Sequence, residues 1–109
     1  MGKVYCAIDS ENNKVAIKKV KLNSENLKNI VTEVSIMKQS SHENVVAYYG
    51  SYVVEEKLWL VMEFMGAGCL ADIICENDLV KLSESHISYV CHNSLKALFY
   101  VHSQGRIHR

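Results

Sequence analysis

Apolar and polar residues alternate along KVYCAID from Lys3, give way to the turn-rich SENN, and resume as a β-branched run in KVAIKKVKL. Two antiparallel strands joined by a short hairpin follow from this pattern. After Leu22 the period changes, and Leu27, Ile30, Val31, Val34 and Met37 fall at helical spacing. A helix of about 15 residues is predicted, with Ser24 as N-cap and Glu25 in its first turn. NVVAYYGSYVV and KLWLVMEF, separated by the polar residues around Glu55 and Glu56, read as a second hairpin rich in β-branched and aromatic side chains. MGAG breaks that pattern, and a short apolar helix, CLADIICE, follows. Ser83 then caps a long helix whose apolar face is Ile87, Val90, Cys91, Leu95, Leu98 and Phe99, and Gly105 ends it. Arg106 and Ile107 are expected to begin a short strand.

This order, strand, strand, helix, strand, strand, glycine-containing link, helix, helix, is an α+β arrangement with a composition break at Met65 to Gly68. The 109 residues, 49% of them apolar, are enough for one small core. Twelve basic residues balance twelve acidic ones, so bulk charge directs the chain to neither nucleic acid nor an anionic membrane, and any phosphate chemistry must be local. The strongest apolar run, LWLVMEFM, is interrupted by Glu63 and is far shorter than the roughly 20 residues of a membrane span. The N-terminal MGKVYCAID has no secretory pattern, and Cys6 stands where a myristoylation motif wants Ser or Thr. A cytoplasmic location is the expectation. Cys6, Cys69, Cys75 and Cys91 form no C-x-x-C pair, so free thiols are expected and no metal site is assigned.

Within this frame one basic residue stands out. VAIK puts Lys18 on a strand among small and β-branched neighbours that keep its stem in an apolar wall, where an ammonium attracts phosphate or a carboxylate. Glu33 follows fifteen residues later on the polar face of the first helix, within reach of an ion pair with Lys18. Taken alone, these residues are better explained as an ordinary strand lysine and a solvated helical glutamate.

The wider context resembles one family. VAIK, a helix bearing Glu33, SHENVVAYYGSY, LWLVMEFMGAG and a terminal IHR stand in the order and spacing of a protein kinase, along essentially all 109 residues. YYGSY, LWLVMEF and GAGCLADII are most similar to the sterile-twenty group of serine/threonine kinases, which includes the PAK, Hippo-type and germinal-centre kinases. The resemblance implies a truncated protein-kinase fold: residues 1–62 as the small β lobe without its first strand, 63–68 as hinge, and 69–109 as the start of the helical lobe.

It also implies roles for particular residues. Lys18 contacts the α- and β-phosphates of ATP, and Glu33 is its partner on the C-helix. Gly2 matches the last glycine of the phosphate loop, and Val4 and Ala16 cover the adenine. Met62 matches the gatekeeper, and the backbone of Glu63 and Met65 contacts adenine. Asp72 falls where a polar residue meets the ribose, or equally serves a helix N-terminus. Cys69, seven residues after Met62, occupies the place where epidermal growth factor receptor kinases carry a ligand-accessible cysteine; an inert small residue is the alternative. Met37, Tyr48 and His108 match members of the regulatory spine, and Arg109 matches an arginine that pairs with a phosphorylated activation loop.

The function implied is ATP-dependent phosphoryl transfer to protein Ser or Thr hydroxyls, with ATP and Mg²⁺ as cofactors. The catalytic Asp would follow Arg109, and the Mg²⁺ ligands lie beyond it, so the 109 residues alone are expected to be inactive. A pseudokinase or nucleotide-binding regulatory or scaffold module is the alternative. Protein substrates and regulators are the implied partners, with no nucleic acid. An exposed apolar face on the long helix and an open strand edge predict that the isolated chain aggregates or oligomerises.

Overall fold

The computed structural model describes residues 2–75 and 80–108. Its elements in chain order are β1 (Lys3–Ile8), β2 (Lys14–Lys21), α1 (Leu27–Gln39), β3 (Tyr48–Val54), β4 (Lys57–Glu63), α2 (Leu70–Cys75) and α3 (Glu84–Ser103). The four strands form one antiparallel sheet in the order β1-β2-β4-β3, which agrees with the expected α+β class. Glu76, the end of the predicted CLADIICE helix, lies outside the described residues.

Each hairpin is set by local chemistry. Between β1 and β2 the Asp9 carboxylate accepts the N–H groups of Glu11 at 2.9 Å and Asn13 at 2.8 Å, while Asn12 takes a left-handed conformation (φ 66°). Asp9 is fully exposed, yet its carboxyl is held below the ordinary 3.8, first by the Asn13 backbone N–H and then by the Asn13 amide and the Glu11 N–H. Between β3 and β4 a two-residue turn places both Glu55 (φ 48°) and Glu56 (φ 60°) in the left-handed region. Their backbone twist suits a tight hairpin, although Asn-Gly would adopt it with less strain.

The sheet has two unlike faces, and the register defines them. Opposed residues share a face, so Val4, Lys18 and Leu60 lie on one side together with Cys6, Ala16 and Met62. α1 packs on this side: Ile30 joins Leu58 and Leu60 in a buried cluster, flanked by Val20, Leu22, Val34, Met37 and Tyr48. An irregularity between Tyr48 and Gly50 resets the alternation, so that Tyr48 opposes Met62 and reaches the core while Tyr49 is exposed.

α1 starts later than its periodicity suggests and has 13 residues. The cap is Asn26 rather than Ser24, and Ser24 and Glu25 belong to the preceding turn. Asn23 and Asn26 exchange side-chain bonds with each other's backbone N–H, and the Asn26 amide donates to the Lys21 carbonyl at 2.9 Å. This asparagine pair satisfies the backbone that a Ser24 cap would have served.

The chain divides into two compact units: Met1–Ser41 with Val45–Met65, and His42–Asn44 with Gly66–Arg109. The second contains α2 and α3. α3 begins with a reciprocal capping box, in which the Ser83 hydroxyl accepts from the His86 N–H and His86 accepts from the Ser83 N–H. It ends in a Schellman motif: Gly105 (φ 68°) donates to His102 and Arg106 to Val101. The short strand expected at Arg106 and Ile107 is not formed among the described residues, since the Arg106 N–H is spent on this helix closure. Residues 42–44 lie against α3 through a His42–Tyr100 ring stack at 5.0 Å, an Asn44–Asn93 bond at 3.2 Å and a Glu43–Lys96 pair at 3.4 Å.

Candidate functional site

Lys18 and Glu33 meet. Lys18 Nζ donates to Glu33 Oε1 at 2.8 Å, which joins the middle of β2 to the second turn of α1. Two features of the sequence produce this contact: alternation along VAIKK turns Lys18 to the α1 side, and helical spacing puts Glu33 one residue before the half-buried Val34. With side-chain exposures of 30% and 51%, the pair is screened by water and contributes at most about 1 kcal/mol to stability. Burial of one Ile side chain contributes roughly 1.5–3 kcal/mol, so Ile30 and not the ion pair anchors the helix. The pair therefore fixes where the ammonium sits more than whether the helix docks.

Lys18 stands at a border on the sheet. On one side of it α1 covers Val20, Leu58 and Leu60. On the other, Val4 is 62% exposed, and Ala16 and Met62 are partly accessible. The result is an apolar strip of sheet ending at a fixed cation. A flat apolar ring fits the strip and an anion fits the cation, which is the division of chemistry found in a nucleotide.

Gly2 lies against β2 at Lys19 and Val20 for a steric reason. A Cβ there would fall 2.5 Å from the Lys19 carbonyl oxygen and 2.9 Å from Val20 Cγ2, so only glycine allows the chain to lie so close to β2. At the end of β4, the Glu63 N–H donates to the Ala47 carbonyl at 2.9 Å and Glu63 Oε2 accepts the Ala47 N–H at 3.1 Å. This doubled bond holds the backbone where the strand runs into Met65, which is 57% exposed.

The first unit thus brings together Gly2, Val4, Ala16, Lys18, Glu33 and Met62, with Glu63 and Met65 at the strand end. Cys69 and Asp72 belong to the second unit, Cys69 directly before α2 and Asp72 in its first turn; both are exposed. Met37 and Tyr48 pack against the core cluster, whereas His108 is exposed. Arg109 lies outside the described residues.

Cys6 was not anticipated at the site. It opposes Ala16 on the same face as Val4, and the alternation of Val4, Cys6 and Ile8 carried that information. All four cysteines are free and exposed. Among the described residues no group of three or more His, Cys, Asp or Glu side chains could hold a metal ion, and no helix is long and apolar enough to cross a membrane.

Comparison with known proteins identifies the family. The protein kinase domain family matches residues 1–109. The chain is 54% identical over 110 residues to the serine/threonine-protein kinase pakC of Dictyostelium discoideum, covering 99% of this chain and 23% of that protein. It is 56% identical over 98 residues to pakB of the same organism, covering 90% of this chain and 12% of pakB. Against the serine/threonine-protein kinase CLA4 of Candida albicans the identity is 40% over 112 residues, or 99% of this chain and 11% of CLA4. The chain therefore spans less than a quarter of the length of these relatives, which fall in the sterile-twenty group.

Proposed function

The chain belongs to the protein kinase domain family, and on that premise we propose that it is the ATP-binding portion of a serine/threonine protein kinase. The observation that carries the reading is the Lys18–Glu33 pair at 2.8 Å, set at the end of an uncovered apolar strip of sheet. Adenine lies on Val4, Ala16 and Met62, and the backbone of Glu63 and Met65 meets its polar edge. Lys18 meets the α- and β-phosphates, and Gly2 lets the backbone approach them. For Asp72 and Cys69, both in the second unit, the family resemblance suggests ribose contact and reactivity towards electrophilic ligands.

Bound ATP supplies the transferable phosphoryl group. What this chain contributes is position and charge. Glu33 orients the ammonium, and its carboxylate loses little by sharing Lys18 with a phosphate because both groups remain half in water. The activity proposed for residues 1–109 is nucleotide binding.

A titration of the 109-residue chain with a fluorescent ATP analogue tests the reading. Lys18→Ala is expected to weaken binding at least about tenfold, or about 1.4 kcal/mol, while unfolding free energy changes by no more than about 1 kcal/mol. Unchanged nucleotide affinity in a folded Lys18→Ala chain would overturn it.

A further inference from the structure

The sheet face turned away from α1 is used by nothing described so far. Its register sets Lys3 opposite Lys19, and Lys21 opposite Lys57. Like charges directly opposed across a ladder destabilise the sheet. Among the described residues no carboxylate pairs with any of these lysines, and the turn glutamates Glu55 and Glu56 leave them unpaired. Lysine on an edge strand is a common guard against unwanted pairing, which accounts for Lys3 on β1. It does not account for the other three, which lie on the interior strands β2 and β4.

The same face carries an ordered cation. Lys19 Nζ sits 3.6 Å from the centre of the Trp59 ring and 4.8 Å from that of Tyr5. Two rings therefore hold this ammonium in one place, and its rotamer entropy is already spent before any ligand arrives. In the same ring that holds Lys19, the Trp59 indole Nε1 is buried with no acceptor. A fixed cation, three further lysines and an orphaned donor share one small area and have no anion among them.

We infer that this outer face is a docking surface for an extended acidic peptide segment of a partner protein. Spacing favours that occupant. Lys19 and Lys21 are two residues apart on β2, about 6.7 Å, which is also the distance between alternate side chains of an extended peptide. Carboxylates at every second position thus meet both lysines, and the rows from Lys3 and Lys57 widen the cationic track by one strand spacing on each side, about 4.8 Å. Single-stranded nucleic acid fits less well, because Lys19 already occupies ring faces on which bases would stack. A flat anionic membrane would also cover the turn that carries Glu55 and Glu56, next to Lys57, whereas a narrow peptide need not.

Trp59 is the single tryptophan of the chain and reports directly on the face. The test titrates the 109-residue chain, at submicromolar concentration, with an acetylated and amidated peptide of alternating Glu and Ser. The expected result is a saturable change in Trp59 emission that weakens with added salt. The double variant Lys21→Glu/Lys57→Glu, with far-UV dichroism confirming its fold, should bind at least tenfold more weakly, and Lys21→Gln should show a smaller loss if the double variant fails to fold. Lys18→Ala, on the opposite face, should bind the peptide unchanged. A non-saturating response, equal affinity in the folded charge variants, or tighter binding of an oligoribonucleotide or phosphatidylserine vesicles would overturn the inference.

Discussion

The two units of the chain are held together by different means. All four buried residues among those described, Val15, Ile30, Leu58 and Leu60, belong to the first unit, where a sheet and a helix close on each other. The second unit has no buried residue among those described; its order rests on a capping box, a Schellman motif and the polar attachment of residues 42–44. The difference is between structure fixed by long-range burial and structure written locally at helix ends. Most helical stability in proteins comes from packing of an apolar face, and α3 has no buried residue, so local signals specify where it starts and stops more firmly than they stabilise it.

The most damaging way to probe this contrast is at Leu60, whose side chain is 1% exposed and lies between α1 and the sheet. Leu60→Ala is expected to cost about 2–5 kcal/mol, a large share of the stability of a small unit. Hydrogen exchange should show protection lost throughout β2, β4 and α1, with the amides of α3 changed much less. Equal loss in both units would mean that they unfold as one.

A second intervention works on the side that lacks a core. Leu95 and Phe99 lie one helical turn apart on α3 and are 64% and 77% exposed, and Tyr89 and Ile87 add to the accessible apolar surface. Self-association through this helix is the expected behaviour of the isolated chain. Leu95→Glu with Phe99→Glu should shift sedimentation towards monomer without reducing the helical signal, since neither side chain has a buried role to lose. A wild-type chain that sediments as a monomer would contradict the expectation.

What could be read from the sequence follows the same division. Strand alternation located both hairpins and turned Lys18 and Ala16 to one face, and helical spacing placed Glu33 opposite them. Ser83 and Gly105 were legible because helix ends are marked by residues with local mechanisms. The start of α1 was misread, because an asparagine pair three residues apart competed with Ser24 for the same backbone. The strand expected at Arg106 failed because helix closure claimed its N–H. The reset at Tyr48 and the left-handed pair Glu55-Glu56 left no trace in residue type, since tyrosine and glutamate signal neither a bulge nor a tight turn. Residue type alone does not single out the outer lysines; the register does, by setting them opposite one another.

The capping box offers a smaller test of local control. Ser83→Ala removes the acceptor for the His86 N–H, and about 1 kcal/mol of helix stability with it. Because α3 has no buried residue to compensate, the loss should appear as fraying: faster exchange in the first turn after Ser83, and a modest fall in helical signal that glycine at the same position partly restores. No change in first-turn exchange would mean that tertiary contacts, and not the cap, define the start of the helix.

The smallest effect belongs to the first unit and concerns pH. The Asp9 carboxyl is depressed below 3.8 by bonds that its charged form accepts, chiefly from the Asn13 N–H. A depressed folded value means that the stabilisation is present above the unfolded value and is lost as pH falls through the folded one. The β1–β2 turn should therefore be insensitive to pH near neutrality and loosen only below about pH 4. The Asn13 amide resonance should titrate with a midpoint under 3.8, and Asp9→Asn should abolish that titration while leaving the core protection around Leu60 unchanged. A midpoint at or above the ordinary carboxylate value would show that the turn's hydrogen bonds do not favour the charged form.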